Sequence, residues 1–307
     1  MSTLGYDYDI TANVQNTDVI NHDVIFGLGV TLGILTSFLL MSCPVILRRQ
    51  KSLPFFVMLT SWCLANLLYL VVFAVSYFSM SGKNASALGE FGCRALRYLH
   101  KSLAFTRVYL MVLASIMTFL GNQRFHRLFG SSVRVKVLIP VVAGTFVWIM
   151  VFLPCIQYWY QPRFVSVGFR LIAYWCLVDN TLARKVLELF TQCVLPYILT
   201  AVFVLAWGCR QQKIKITDKK ENVQTILLLI MMLSSAITEF IVLGVISIGL
   251  TGVVGATTAA RYFELCDYTL SPLFCLIAII FYRRQLLSRE DPIPTEESAD
   301  DVAVAEM

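Results

Sequence analysis

The chain has 307 residues, of which 58% are hydrophobic and only 14% charged, and its mean hydropathy is +0.72. No soluble domain of this length could hide so much apolar surface, so a water-soluble enzyme or carrier is excluded at the outset. The formal net charge of +6 is modest and does not by itself point to nucleic acid.

Seven apolar stretches follow in order: Val24–Leu47, Phe55–Phe78, Leu96–Phe119, Val137–Tyr158, Leu187–Trp207, Thr225–Leu250 and Tyr262–Phe281. Each can cross a hydrocarbon layer about 30 Å thick, which takes about 20 helical residues. The predicted fold is therefore an all-α membrane protein, a bundle of seven transmembrane helices over residues 24–288. Residues 1–23 form an outer segment, and residues 289–307 a disordered acidic tail containing Glu296, Glu297, Asp300 and Asp301.

Basic residues set the orientation. Arg48, Arg49 and Lys51 follow the first span, and Arg124, Arg127, Arg134 and Lys136 follow the third. Arg210, Lys213, Lys215, Lys219 and Lys220 follow the fifth, and Arg283, Arg284 and Arg289 the seventh. The N-terminal segment carries Asp7, Asp9, Asp18 and Asp23 and no Lys or Arg. The positive-inside rule puts that segment outside and the tail in the cytoplasm. Asn84-Ala85-Ser86, a glycosylation sequon between the second and third spans, then lies outside.

Most of the nine cysteines sit in apolar helices and read as small packing residues. Cys93, just before the third span, and Cys176, in the outer segment from Trp159 to Lys185, both face an oxidising compartment. Either they are free thiols, or a bridge between them ties that segment over the bundle. Its aromatic residues, Tyr158, Trp159, Tyr160, Tyr174 and Trp175, suit either an interfacial belt or a ligand-facing lid. Tyr6 and Tyr8, set among Asp7 and Asp9, would form an anionic patch on sulfation and attract a basic extracellular ligand.

This arrangement resembles a divergent rhodopsin-class G-protein-coupled receptor. Leu64-Ala65-Asn66-Leu67-Leu68 is similar to the family pattern Leu-Ala-x-x-Asp-Leu, with Asn66 where the sodium-binding aspartate is expected. Trp148 and Pro196 resemble the family's fourth-helix tryptophan and fifth-helix proline. Ser271-Pro272-Leu273-Phe274-Cys275 stands where Asn-Pro-x-x-Tyr is expected, and Phe281-Tyr282-Arg283-Arg284 resembles the start of a short amphipathic helix along the inner membrane surface. The departures are equally marked. Met117-Thr118-Phe119 replaces Asp-Arg-Tyr, which places Arg124 in the second inner loop, and Ser234 to Phe240 holds no Cys-Trp-x-Pro. Retained architecture with eroded motifs is similar to the chemokine-receptor-like receptors carried by herpesviruses, as is Tyr262-Phe263-Glu264-Leu265.

The resemblance implies an interior polar switch. Arg107 lies deep in the third span, where a lone cation is costly and normally finds a partner. On the family arrangement it faces Asn66, Asp267 and Ser271, and an Arg107–Asp267 pair would take the place of bound sodium. Glu264 and Glu239 should not face lipid: either they make interhelical hydrogen bonds, or they are the candidates for a ligand's cationic group. Thr118, Arg124, Arg210, Lys213, Lys215 and Arg283 are the candidates to face a G protein, although positive-inside insertion also accounts for the basic ones.

The expected function is a viral receptor in the host plasma membrane and intracellular membranes. It signals, without requiring a ligand, through a Gi-type heterotrimeric G protein, and takes a chemokine or other basic ligand. The alternatives are a silent receptor-like scaffold, pairing with itself or with host receptors, and a small-solute transporter. His22, His100 and His126 lie far apart and no nucleophile or metal motif unites them, so the reading includes no enzyme, cofactor, metal or nucleic acid.

Overall fold

The computed structural model describes residues 16–42, 53–80, 85–129, 132–160, 162–167, 173–178, 182–214, 219–247 and 254–281. The chain forms α1 (Asn16–Met41), α2 (Leu53–Met80), α3 (Ala85–Phe129), α4 (Val133–Cys155) and a 3₁₀ turn at Ile156–Trp159. After these come β1 (Pro162–Val167), β2 (Ala173–Val178), α5 (Leu182–Leu189), a π-turn at Phe190–Val194, α6 (Leu195–Ile214), α7 (Lys219–Ser247) and α8 (Val254–Phe281).

Six described segments are long and apolar enough to cross a membrane: Asp23–Met41, Pro54–Tyr77, Gly89–Leu120, Arg134–Trp159, Val186–Cys209 and Tyr262–Phe281. In α7, 29 residues long, the described apolar part is Gln224–Thr238. The chain is a multi-pass helical membrane protein. Its surface is inverted relative to a soluble protein, with Leu28, Phe38, Phe146, Leu205 and Phe281 among the large apolar side chains turned outward. Water would penalise that face, whereas acyl chains accept it.

Three departures from the sequence reading concern element boundaries. Cys93 is not ahead of the third span but inside α3, which begins at Ala85. Arg124 does not belong to a loop, because α3 continues to Phe129. At 1.5 Å per residue the 45 residues of α3 extend about 68 Å, so the helix projects beyond a hydrocarbon layer of about 30 Å. Hydropathy marks where lipid contact stops, not where helical hydrogen bonding stops. The outer segment is likewise not a simple loop. β1 and β2 pair antiparallel, with Phe164 opposite Cys176 and Pro162 opposite Val178, so the all-helical bundle carries one hairpin. Pairing satisfies backbone groups that a covering segment would otherwise leave unmet.

Prolines and glycines shape the interior. Pro196 has no N–H and its ring crowds the carbonyl four residues earlier, and the helix opens into the π-turn directly before it. Tyr109 Oη donates to the Thr191 carbonyl in that turn at 3.1 Å, fastening α3 to it. Gly33 lets α1 approach its neighbours closely. A Cβ there would stand 2.7 Å from Leu70 Cδ1 and 3.1 Å from Thr269 Oγ1. Buried apolar residues form one large cluster around Trp62, Met111, Leu227 and Met231, and a second around Phe26, Tyr69, Leu103 and Tyr268. Between these clusters lies the polar junction.

Candidate functional site, a buried polar junction

Arg107, on α3, is 1% exposed, and so is the Asp267 side chain on α8. The guanidinium grips the carboxylate with both terminal nitrogens: Nη1 bonds Oδ2, and Nη2 donates to Oδ1 at 3.0 Å. Such a two-pronged contact fits the planar fork of arginine and would not survive replacement by lysine. Ser235 of α7 adds a longer bond from its hydroxyl to Asp267 Oδ1, 3.4 Å. The guanidinium carbon also lies 4.1 Å from the Tyr268 ring centre and 5.1 Å from that of Trp62. Ring faces carry negative quadrupole density, so they stabilise the cation where water is absent. α2, α3, α7 and α8 are thus joined at one point.

Asn66 is fully buried but is not a direct partner of Arg107. Its amide donates to Ser37 Oγ at 3.0 Å and to the Tyr268 carbonyl at 2.8 Å. Pro272 explains the second bond. A helical N–H at position 272 would normally serve the carbonyl of residue 268, and proline has none. Asn66 reaches across from α2 to supply the missing donor. The Asn66 Oδ1 atom and Arg107 Nε have no hydrogen-bond partner among the described residues. Ser271, also fully buried, bonds Ser234 of α7 through its hydroxyl.

Glu264, on α8 above Asp267, does not stand free for a ligand. Tyr69 donates to its carboxylate, and His100 Nε2 lies 3.4 Å from Oε1 and 3.0 Å from the Tyr69 hydroxyl. The Tyr69 and Tyr268 rings stack at 3.7 Å, joining this cluster to the Arg107 site. Sequence reasoning missed His100 and Tyr69. Position gave one available signal: Glu264 and His100 both lie about one helical turn or two from the Asp267–Arg107 level, on the same side.

Sequence reasoning also missed a second ion pair. Lys101 Nζ on α3 lies 3.0 Å from Glu188 Oε2 on α5, each side chain 10% exposed. Neither residue stood out in the sequence. Only the packing of α3 against the region of the π-turn brings them together.

The remaining candidates separate as follows. Cys93 is buried and disulfide-bonded. The backbone of Cys176 lies in β2, which packs against α3, while its side chain lies outside the described residues. The Trp175 and Glu239 side chains lie outside them too, although their backbones sit in β2 and α7. Thr118 is buried and turns its hydroxyl back to the Ala114 carbonyl at 3.0 Å. Arg210 and Lys213 fall on the α6 backbone and Arg124 on that of α3, with side chains outside the description. Tyr6, Tyr8, Asn84, Lys215 and Arg283 all lie outside the described residues. Tyr158 and Trp159, read as part of the outer segment, belong to the 3₁₀ turn, where Tyr158 is buried beside Phe105 and Trp159 meets Phe91 and Tyr98 edge-on.

No protein-family model matches the chain, and no curated protein matches it at a level that marks a relative.

Proposed function

We propose that the chain is a divergent receptor of the rhodopsin class, similar to herpesvirus-encoded chemokine-receptor-like proteins, crossing the host membrane seven times with its N-terminus outside. The observation that carries this reading is the buried Arg107–Asp267 pair. It joins α3 to α8 beside α2 and α7, where a receptor of this class must change its helix packing to signal. A fixed cation bonded to an aspartate does there what a bound sodium ion does in receptors that use one. Cys93 at the outer end of α3 and the hairpin packed on it support the same reading. In it, the Cys93–Cys176 bridge holds the hairpin, Asn84 is glycosylated, and Tyr6 and Tyr8 with Glu264 and Glu239 meet a basic ligand such as a chemokine. Glu264 is recruited by displacing His100.

Coupling runs through a Gi-type G protein at the cytoplasmic ends of α3, α6 and α7, using Arg124, Arg210, Lys213, Lys215 and Arg283. It proceeds without ligand, because Thr118 replaces the arginine that locks the resting state. One observation favours a second reading, that of a silent scaffold pairing with itself or with host receptors. The Thr118 hydroxyl is satisfied within its own helix and presents no cation to a G protein.

GTPγS binding separates the two. The full-length protein in nanodiscs, without added ligand, is assayed against a panel of heterotrimeric G proteins. Exchange above empty nanodiscs with Gi is the expected result; no exchange with any member, before or after chemokine addition, rejects the signalling reading.

A further inference from the structure

His100 and Lys101 are consecutive on α3 and meet acids on different helices. Lys101 Nζ lies 3.0 Å from Glu188 Oε2 on α5, and His100 Nε2 lies 3.4 Å from Glu264 Oε1 on α8. Lysine keeps its charge through the physiological range, whereas imidazole gains or loses its charge between about pH 5 and 8. One tie is therefore fixed and the other follows acidity. The His100 and Glu264 side chains are 23% and 20% exposed, against 1% for both members of the Arg107–Asp267 pair. A proton reaches the first pair directly, whereas the second is sealed.

The hydrogen-bond geometry leaves a place for that proton. Tyr69 has one hydroxyl hydrogen and gives it to Glu264, so its 3.0 Å contact with His100 requires the imidazole to donate from Nε2. Nδ1 is then the basic nitrogen. Protonation there breaks neither contact, and it converts the 3.4 Å approach to Glu264 into an attraction between opposite charges. The other titratable groups nearby are committed elsewhere. Lys101 is held by Glu188, with Arg97 of α3, Tyr158 of the 3₁₀ turn and Cys155 of α4 disposed around that same pair, and it acts on Glu264 only from a distance. Asp23 of α1 accepts from Tyr77 of α2 and lies toward Tyr262 of α8. Tyr197 of α6 lies toward Arg107, and the Glu239 side chain of α7 is outside the described residues.

We propose that His100 is a proton sensor built into the bundle: protonation at Nδ1 pairs it with Glu264, ties α3 to α8 above the buried junction, and clamps Tyr69 against Tyr268. The Tyr69 ring lies 3.7 Å from that of Tyr268, whose own ring centre is 4.1 Å from the Arg107 guanidinium carbon. Charge taken up at the accessible pair thus bears on the sealed one through two stacked rings. The added stability is present in acid and is lost as pH rises through the titration of His100. The device belongs to the bundle and holds whether or not the protein signals.

The test uses the full-length protein in nanodiscs and a double-mutant cycle of His100→Gln and Glu264→Gln, run at about pH 5 and about pH 8. Unfolding is read by the fluorescence of the five tryptophans, which needs no thiol chemistry. Titration of every other group is shared by the four proteins and cancels in the cycle. The coupling between the two substitutions should be larger in acid by about 2–4 °C in unfolding temperature. The corresponding cycle of Lys101→Gln and Glu188→Gln should give the same coupling at both pH values. Hydrogen exchange supplies a second reading that needs only one variant. Segment 262–271 of α8 should exchange faster in His100→Gln than in the parent in acid, and the difference should shrink at about pH 8. Coupling that is equal at both pH values or smaller in acid, an acid gain of the same size in the Lys101–Glu188 cycle, or exchange in acid that His100→Gln leaves unchanged would each overturn the proposal.

Discussion

Replacing Asp267 by Asn leaves Arg107 charged, because a guanidinium keeps its proton at any accessible pH. It loses the two-pronged carboxylate, yet keeps the Tyr268 and Trp62 ring faces at 4.1 and 5.1 Å and an amide oxygen as acceptor. Removing one partner of a buried pair costs about 3–5 kcal/mol. The rings place Asp267→Asn at the lower end, about 3 kcal/mol, since a desolvated cation–ring contact retains about 2 kcal/mol. Arg107→Met is worse, about 5 kcal/mol, because among the described residues Asp267 is left with the 3.4 Å bond from Ser235. At about 2–4 °C per kcal/mol, the single variants should unfold about 6–12 °C and 10–20 °C below the parent. The double variant Arg107→Met, Asp267→Leu strands no charge and should return to within about 1.5 kcal/mol of the parent. A thiol-reactive fluorogenic dye reads the transition in nanodiscs, since the thiols of Cys155 and Cys275, neither in a disulfide, are buried until the bundle opens. If Asp267→Asn unfolds with the parent, or if the double variant is as unstable as Arg107→Met, the pair is not an electrostatic tie and the reasoning fails.

The same logic applies to Lys101–Glu188. Lys101→Met alone should cost about 3 kcal/mol and Lys101→Met with Glu188→Leu much less, read by the same dye assay, with equal losses counting against the pair. With Arg107 already on Asp267, basal nucleotide exchange should be unchanged when sodium chloride is replaced by choline chloride at equal ionic strength. A sodium-dependent fall in exchange would show that a cation still enters the junction. Gly33→Leu should lower stability by about 1–3 kcal/mol through overpacking against Leu70 and Thr269, whereas Gly27→Leu, with open space around it, should change little; comparable unfolding temperatures would contradict the α1 contact. Trp148→Phe removes the 3.1 Å bond from Nε1 to Ser61 Oγ that links α4 to α2 and should cost about 1 kcal/mol; a loss above about 3 kcal/mol would mean that the ring, not the bond, holds the contact.

Membrane insertion and the long apolar helices were legible from the sequence because the bilayer applies one local test, apolar length, that each segment passes or fails without reference to its neighbours. Arg107 announced itself for a related reason. A charge at that depth must be met by something, and Asp267 is the nearest acid that α8 could bring to the same level. What met Asn66 was not legible. Its partner is the Tyr268 carbonyl, freed by Pro272 and 202 positions along the chain, and only the crossing of α2 with α8 makes that bond possible. Lys101 with Glu188, and His100 with Glu264, were hidden likewise, because each partner sits on another helix far along the chain. The overrun of α3 past both ends of its apolar stretch, and the pairing of β1 with β2, follow from backbone hydrogen bonding, which hydropathy does not record. Sequence alone determined that this chain lives in a bilayer and buries charge there. Tertiary structure decided which groups neutralise that charge, because a side chain's partner in a helix bundle is set by the angle and rotation at which two distant helices pack.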